Sequence, residues 1–466
     1  MTFHEDPDPR TGKAPKHQEA ALKGKSISNA EIKPVEKESQ TNKFYPEPVD
    51  LETLMSETGG FIVGGYVRDM VMGNEPHDLD LASPILPEDV LRMFAHSYEM
   101  GFGTVAVRTI EHDFVEVTTF RKESGGRHPE FVSFTDSLKV DLGRRDFKFN
   151  AMAMDIEGNI IDPYKGITDI EQRIVSTIYD PHETLDIETG DTLRAIRALR
   201  FSQRYGFEID PPLRDAIRNV NLSNLSGERI YMELEKMFEN DAAGALLYLK
   251  NYNVLGKILP EIDVMEKCQH NPEHHPEGNC FEHTLKTLEF VQDDDMTTKM
   301  AALLHDVGKP KVMCVGSTSY HGHDKAGIYP GIAVMKRLGR PKVEQNAVVF
   351  VIKNHMKMHK LHEMKASKRR ALYDSPFFPI LLKVTMADGS MRDFIDPYEI
   401  ERYVESDIIT RKTPAKPLID GNVIMSYGIP PGPLISEIQK DLVEQQIEGN
   451  ITTEQEAIEY FKVKYV

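Results

Sequence analysis

Three cysteines in 466 residues, Cys268, Cys280 and Cys314, are too few for a disulfide framework, and their spacing matches no zinc knuckle. Such sparing use suits a reducing compartment. No apolar stretch approaches the roughly 18–20 residues needed to cross a bilayer, and Met1 to Arg10 carries no hydrophobic signal region. Positive charge is also short. Lys and Arg number 56 against 74 Asp and Glu, a formal balance of −18. That excludes holding nucleic acid through bulk charge, though not through a local basic groove. No repeat occurs at a fixed period. These absences predict a soluble cytoplasmic protein. What is present, 40% hydrophobic residues, supplies proper cores for roughly two to four domains.

Residues 1–44 mix eight Lys/Arg and seven Asp/Glu with isolated apolar positions and read as a flexible extension. From 45 to 163 strand-like and helical pieces alternate. Phe61-Ile62-Val63 is a strand entering Gly64-Gly65, and Asp78-Leu79-Asp80-Leu81 is another. Pro87 to Glu99 is a helix, and Gly103–Thr109 with Phe114–Phe120 forms a hairpin. The pattern predicts an α/β head with a mixed sheet. After Pro163 the spacing turns helical, giving an all-α neck and body (164–262), a histidine-rich helical region (263–400) and a helical tail (401–466).

Asp78 and Asp80, two apart on a strand, project from one face, and two adjacent carboxylates suit a hard divalent cation such as Mg²⁺. Acidic pairs in loops are also common, so the pair needs company. Gly64-Gly65 opens a helix, where backbone N–H groups and the helix start favour phosphate, with Arg68 close by. Arg144-Arg145-Asp146-Phe147, running on to Asn150, places charge at the edge of a core element. Asp191 and Arg194 are helix neighbours, and Arg197 and Arg204 add positive charge to much the same side. Asp only accepts and Arg only donates, a pair that matches the amine and ring nitrogen of cytosine and adenine and mismatches uracil and guanine.

In order, Gly64-Gly65-x-x-Arg68-Asp69, Asp78-Leu79-Asp80, Glu116-Val117-Thr118-Thr119-Phe120-Arg121 and Arg144-Arg145-Asp146-Phe147-x-x-Asn150 resemble the head of a class II nucleotidyltransferase. This is the family of bacterial CCA-adding enzymes and poly(A) polymerases. The resemblance implies transfer of CMP and AMP from CTP and ATP to the 3′ end of tRNA, with release of pyrophosphate. It implies Asp78 and Asp80 as Mg²⁺ ligands, with Glu116 beside them. Gly64, Gly65, Arg68, Arg145, Asp146, Asn150, Asp191, Arg194, Arg197 and Arg200 are the implied nucleotide-binding residues. The family reads the base with Glu-Asp-x-x-Arg, and here Gly190 replaces the glutamate. Residues 122–135, with Gly125, Gly126, Arg127, His128 and Pro129, read as a mobile loop, which favours full CCA addition. A poly(A) polymerase and an A-adding tRNA nucleotidyltransferase share nearly all these motifs and remain open.

His283, then His305-Asp306, then Asp388 resemble an HD phosphohydrolase domain, which implies a second divalent transition metal on His283, His305, Asp306 and Asp388. His321 and His323 are further candidate ligands, and His355 lies downstream. A metal-dependent phosphohydrolase is therefore the reading from a different enzyme class. Lys365, Lys368, Arg369 and Arg370 form a local basic patch suited to tRNA backbone.

Overall fold

The computed structural model describes residues 27–28, 43–123, 132–269, 278–314, 318–390, 396, 398–409 and 416–466. Gly125 to Pro129 lie outside the described residues, as does nearly all of the expected extension. The chain divides into two compact units. One holds residues 1–225 and 251–254, the other 226–250 and 255–466.

The first unit is built on an eight-stranded mixed sheet, as the alternating pattern predicts. Its strands are β1 (Ile27–Ser28), β2 (Phe61–Val63), β3 (Asp80–Ser83), β4 (Ser97–Gly101), β5 (Thr104–Val107), β6 (Val115–Thr119), β9 (Ala153–Met154) and β10 (Ile160–Ile161). Strands β7 (Arg121–Glu123) and β8 (Val132–Phe134) form a separate antiparallel pair. The order is β1-β10-β9-β2-β3-β6-β5-β4, with β1/β10 and β3/β6 parallel and the other pairs antiparallel. One face of the sheet buries Ile62, Leu81, Val105 and Val117 with Leu54, Val67 and Met152. The other packs Val63 and Ala82 against Phe120, Leu138 and Leu142.

Three local expectations change. The second strand starts at Asp80 rather than Asp78, because its partner β2 ends at Val63, opposite Asp80, and Gly64 (φ 72°) turns the chain away. The helix from Pro87 stops at Met93, since Phe94 is extended and Ser97–Gly101 pairs with β5 instead. Within the expected extension, Ile27–Ser28 pairs with Ile160–Ile161, a contact that main-chain hydrogen bonds alone can make.

The helix Leu193–Tyr205 follows in the same unit, burying Ala195, Ile196, Ala198, Leu199 and Phe201, and ends at Gly206 in the left-handed conformation. Phe201 packs edge-on against Phe147 and Phe149, which fixes this helix to the Arg-Arg-Asp-Phe segment.

Among the described residues the second unit is helical. Helices Cys280–Phe290, Met296–Leu304, Lys342–Met358 and Phe378–Gly389 pack together, and Gly421–Ser426, Pro433–Ile447 and Glu454–Tyr465 enclose a small core of Ile424, Ile438, Leu442, Ala457 and Phe461.

Candidate active site

Parallel pairing of β3 with β6 sets Asp80 directly opposite Glu116. Opposed residues on neighbouring strands share a face about 4.8 Å apart, so the two carboxylates are side by side. Both are exposed at the strand ends, and Asp78 lies two residues before β3, also exposed. Although Asp80 reaches solvent, partial desolvation of its carboxyl pushes it up to about 6, with Glu116 and Asp78 adding to the shift and Arg145 opposing it. Clustered carboxylates of this kind are what a divalent cation relieves.

Val63 pairs with Asp80, so the Gly64-Gly65 turn emerges beside this cluster. Gly64 precedes the helix Gly65–Met72 with no side-chain cap, and a Cβ there would lie 2.7 Å from Arg145 Nη1. Gly64 is therefore required twice, by its positive φ and by the approach of the arginine. Among the described residues the Arg145 Nε has no hydrogen-bond partner, and its Nη2 is 3.8 Å from Asp141 Oδ2. A guanidinium beside the turn is suited to phosphate oxygens.

Four of the expected nucleotide contacts bond one another. The Arg68 guanidinium is buried, donating to both carboxylate oxygens of Asp69 at 2.8 and 2.9 Å and to Asn150 Oδ1 at 2.8 Å. It also lies over the rings of Phe201 and Tyr205 at 5.3 and 5.2 Å. Asn150 donates to Asp146 Oδ1 at 2.8 Å, and Arg197 donates to Asp146 Oδ2 at 2.9 and 2.6 Å. Arg68, Asn150, Asp146 and Arg197 thus form a chain of polar contacts from the glycine turn to the helix Leu193–Tyr205. These bonds use three of the five Arg68 N–H donors, and Nη2 lies 3.5 Å from where a Cβ on Gly65 would stand, against the glycine turn. Arg200 is buried too, its guanidinium 4.1 Å from the Phe201 ring centre.

Asp191 and Arg194 sit at the start of that helix. The Asp191 carboxylate accepts from Leu193 N at 3.1 Å, and Arg194 Nη2 donates to the Arg144 carbonyl at 2.5 Å. Both side chains are partly exposed. A Cβ at Gly190 would lie 2.3 Å from the Thr184 carbonyl oxygen and 2.6 Å from that of Glu183. The departure from the family's glutamate is thus built into the backbone of the 183–190 loop.

Asp141 was not singled out by the sequence reading. It is fully buried and accepts from Arg121 N at 3.1 Å and Arg144 Nε at 2.9 Å. Its spacing, three and four residues before the arginine pair on a helix, was the available signal.

In the second unit His283, His305, Asp306 and Asp388 come together, joined by His323 and His355 and not by His321, which is exposed. His283 Nε2 is 3.0 Å from Asp388 Oδ1, and His305 Nε2 is 3.3 Å from Asp306 Oδ2. Two partners were not foreseen: His359 bonds Asp388 at 2.8 Å, and Lys309 Nζ is 2.5 Å from Asp306. Burial opposes the charge on Asp388, but His283 and His359 hold its carboxyl well below the usual range. Of the basic patch, Arg369 pairs with Asp407 and Arg370 with Asp374, while Lys365 and Lys368 are exposed.

Residues 60–176 match the poly(A) polymerase head domain, and 206–265 match a probable RNA- and SrmB-binding site of polymerase A. The chain is 28% identical to an A-adding tRNA nucleotidyltransferase of Deinococcus radiodurans, over 86% of this chain and 94% of that one. It is 31% identical to a multifunctional CCA protein of Acinetobacter baumannii, over 66% and 76% respectively. The fold is similar to that of the Bacillus stearothermophilus CCA-adding enzyme in complex with CTP. There the TM-score is 0.64 at 23% identity, covering 88% of this chain and 96% of the other. With the head model matched and a 31% identical relative aligned over three quarters of its length, the chain belongs to the class II family of tRNA nucleotidyltransferases and poly(A) polymerases.

Proposed function

We propose that the chain transfers CMP and AMP from CTP and ATP to the 3′ end of tRNA, building or repairing the CCA terminus and releasing pyrophosphate. The observation that carries this is the opposition of Asp80 to Glu116 beside Asp78, next to a glycine turn faced by Arg145. The three carboxylates fit a hard cation, and Asp78 and Asp80 would hold Mg²⁺. When bound, that ion offsets charge on the triphosphate and assists ionisation of the RNA 3′-hydroxyl. Arg145 and the backbone N–H groups after Gly64 receive the phosphates. Arg68, Asn150, Asp146 and Arg197 hold the glycine turn and the base-reading helix in register. Asp191 accepts from the exocyclic amine of cytosine or adenine, and Arg194, steadied by the Arg144 carbonyl, donates to the adjacent ring nitrogen.

The test uses tRNA transcripts lacking one, two or three terminal nucleotides, with each labelled nucleotide supplied in turn. Two CMP additions followed by one AMP support full CCA synthesis. Incorporation of AMP alone, only on ends that already carry CC, would support the A-adding reading that the Deinococcus relative's name suggests. Long AMP runs on unrelated RNA would support a poly(A) polymerase.

The domain scheme is part of this proposal, with the head at 45–163, the neck and body at 164–262, the HD region at 263–400 and the tail at 401–466. In the HD region His283, His305, Asp306 and Asp388 would hold a divalent transition metal. Supporting this, His305 Nδ1 lies 2.7 Å from the Ala302 carbonyl, which fixes the proton there and leaves Nε2 as a ligand. We place the protein in the cytoplasm, in keeping with its few cysteines. Among the described residues no helix is long and apolar enough to cross a membrane.

A further inference from the structure

The register of the sheet runs one line of side chains across the face that carries the carboxylates. Tyr98 lies opposite Ala106, Ala106 opposite Glu116, and Glu116 opposite Asp80. Opposed residues share a face, so Tyr98, on the edge strand β4, stands on the same face as Glu116 and Asp80. Neighbouring strands lie about 4.8 Å apart, which puts Tyr98 roughly 10 Å from Glu116 and roughly 14 Å from Asp80 along the sheet. Phe114, two residues before Glu116, belongs to that face by alternation.

Tyr98 and Phe114 pack edge to face with ring centres 5.1 Å apart, yet they are 50% and 48% exposed. The core built by β5 and β6 does not need either ring, because Val105, Val107, Val115 and Val117 fill it from the opposite face. Arg108 is two residues beyond Ala106, and its N–H donates to the His96 carbonyl at 2.9 Å, which extends the pairing of β4 and β5 by one step. Its side chain is exposed and makes no ion pair among the described residues. Two exposed rings beside a free cation suit a single strand of nucleic acid: the rings take base faces and the guanidinium takes backbone phosphate. Addition of a second copy's strand is disfavoured at this edge, since a bulge between Glu99 and Gly101 breaks the regular row of hydrogen-bonding groups.

We propose that Tyr98 and Phe114 form a stacking platform for an unpaired base near the 3′ end of the RNA, with Arg108 on the adjoining phosphate. The inference rests on the reading of Asp78, Asp80 and Glu116 as the centre of nucleotide transfer. An RNA end that reacts at those carboxylates lies on this face, and the platform is continuous with them along one row of the sheet. Ala106, between the platform and Glu116, adds only a methyl group, so the strand can lie across it. Every base has a π face, so stacking holds the end in place without reading its sequence. Choice of nucleotide is then left to Asp191 and Arg194, while Tyr98 and Phe114 set the affinity for the RNA.

The experiment uses the full chain and a tRNA transcript of the length that wild type extends, carrying 2-aminopurine as its last base for binding and unmodified for kinetics. Stacking on a ring quenches the fluorescence of that base. Wild type and Tyr98→Phe should quench it on binding, and Tyr98→Ala and Phe114→Ala should quench it far less. The KM for the transcript should rise about tenfold in each alanine variant and return to the wild-type value in Tyr98→Phe, with kcat and the KM for the nucleotide held. A held nucleotide KM also shows that the head remains folded. Wild-type quenching and transcript KM in both alanine variants would overturn the platform and leave the carboxylate centre standing. A wild-type dimer by light scattering that Tyr98→Ala dissociates, with the transcript KM unchanged, would give this surface to a second copy and overturn the platform. A wild type that extends no transcript overturns the transfer reading and the platform with it.

Discussion

The Asp146 carboxylate receives Arg197 twice through one oxygen, from Nε at 2.9 Å and from Nη2 at 2.6 Å, while its other oxygen accepts from Asn150 and from Phe147 N. Four bonds on one buried side chain tie the Arg-Arg-Asp-Phe segment to the helix that carries Asp191 and Arg194. Burial alone would raise the carboxyl pKa, but Arg197 and Asn150 outweigh it and hold the group below the usual carboxylate range.

A pKa depressed by folding contributes stability above the unfolded value of about 3.9, and that contribution is lost as pH falls through the folded value. Asp146→Asn should therefore cost about 1.5–3 kcal/mol at pH 7. The gap to wild type should narrow as both proteins are taken below the unfolded value of about 3.9. Urea unfolding at the two pH values measures it, and a gap that does not change with pH would remove Asp146 from this role.

Gly64→Ala forces a Cβ into the positive-φ turn and toward Arg145 Nη1. The kcat/KM for CTP and ATP should fall together by about tenfold or more, since strain and displacement of the guanidinium cost at least about 1–3 kcal/mol. Unchanged kinetics for both nucleotides would show that Arg145 does not meet the triphosphate.

Restoring the family's acid with Gly190→Glu should destabilise the protein by about 1–3 kcal/mol, because backbone carbonyls occupy the space of the new Cβ. Thermal unfolding reads this directly. A variant as stable as wild type, with sharper rejection of UTP, would mean that the loop opens easily and that the missing glutamate matters for base choice.

Arg194→Ala should slow incorporation of both CMP and AMP and relax the rejection of UTP, each lost contact being worth about 1–3 kcal/mol. Single-turnover rates for all four nucleotides check it. An unchanged preference for C and A would place base reading elsewhere.

The sheet and the acidic cluster were legible because strand alternation and short motifs are local signals: Glu116 falls at the exposed position between buried Val115 and Val117. Pairing decided what was not legible. Asp78 lies outside the strand since β2 has already turned at Gly64, and Ser97–Gly101 is a strand since β5 lies beside it. Sequence shows the charge of Arg68 but not the Asp69, Asn150 and aromatic partners that hold it beside the glycine turn. The His323–His355 contact joins residues from two helices, which no single-helix spacing could reveal.

The most direct measurement compares wild type with Asp80→Asn in single-turnover addition to a tRNA transcript ending one nucleotide short, at saturating ATP. The substitution keeps the size of the side chain and removes its charge. AMP transfer should drop by at least about a thousandfold, some 4 kcal/mol of transition-state stabilisation, with ATP binding changed far less. Transfer at the wild-type rate by Asp80→Asn would contradict the assignment of the Asp78, Asp80 and Glu116 cluster as the centre of nucleotide transfer.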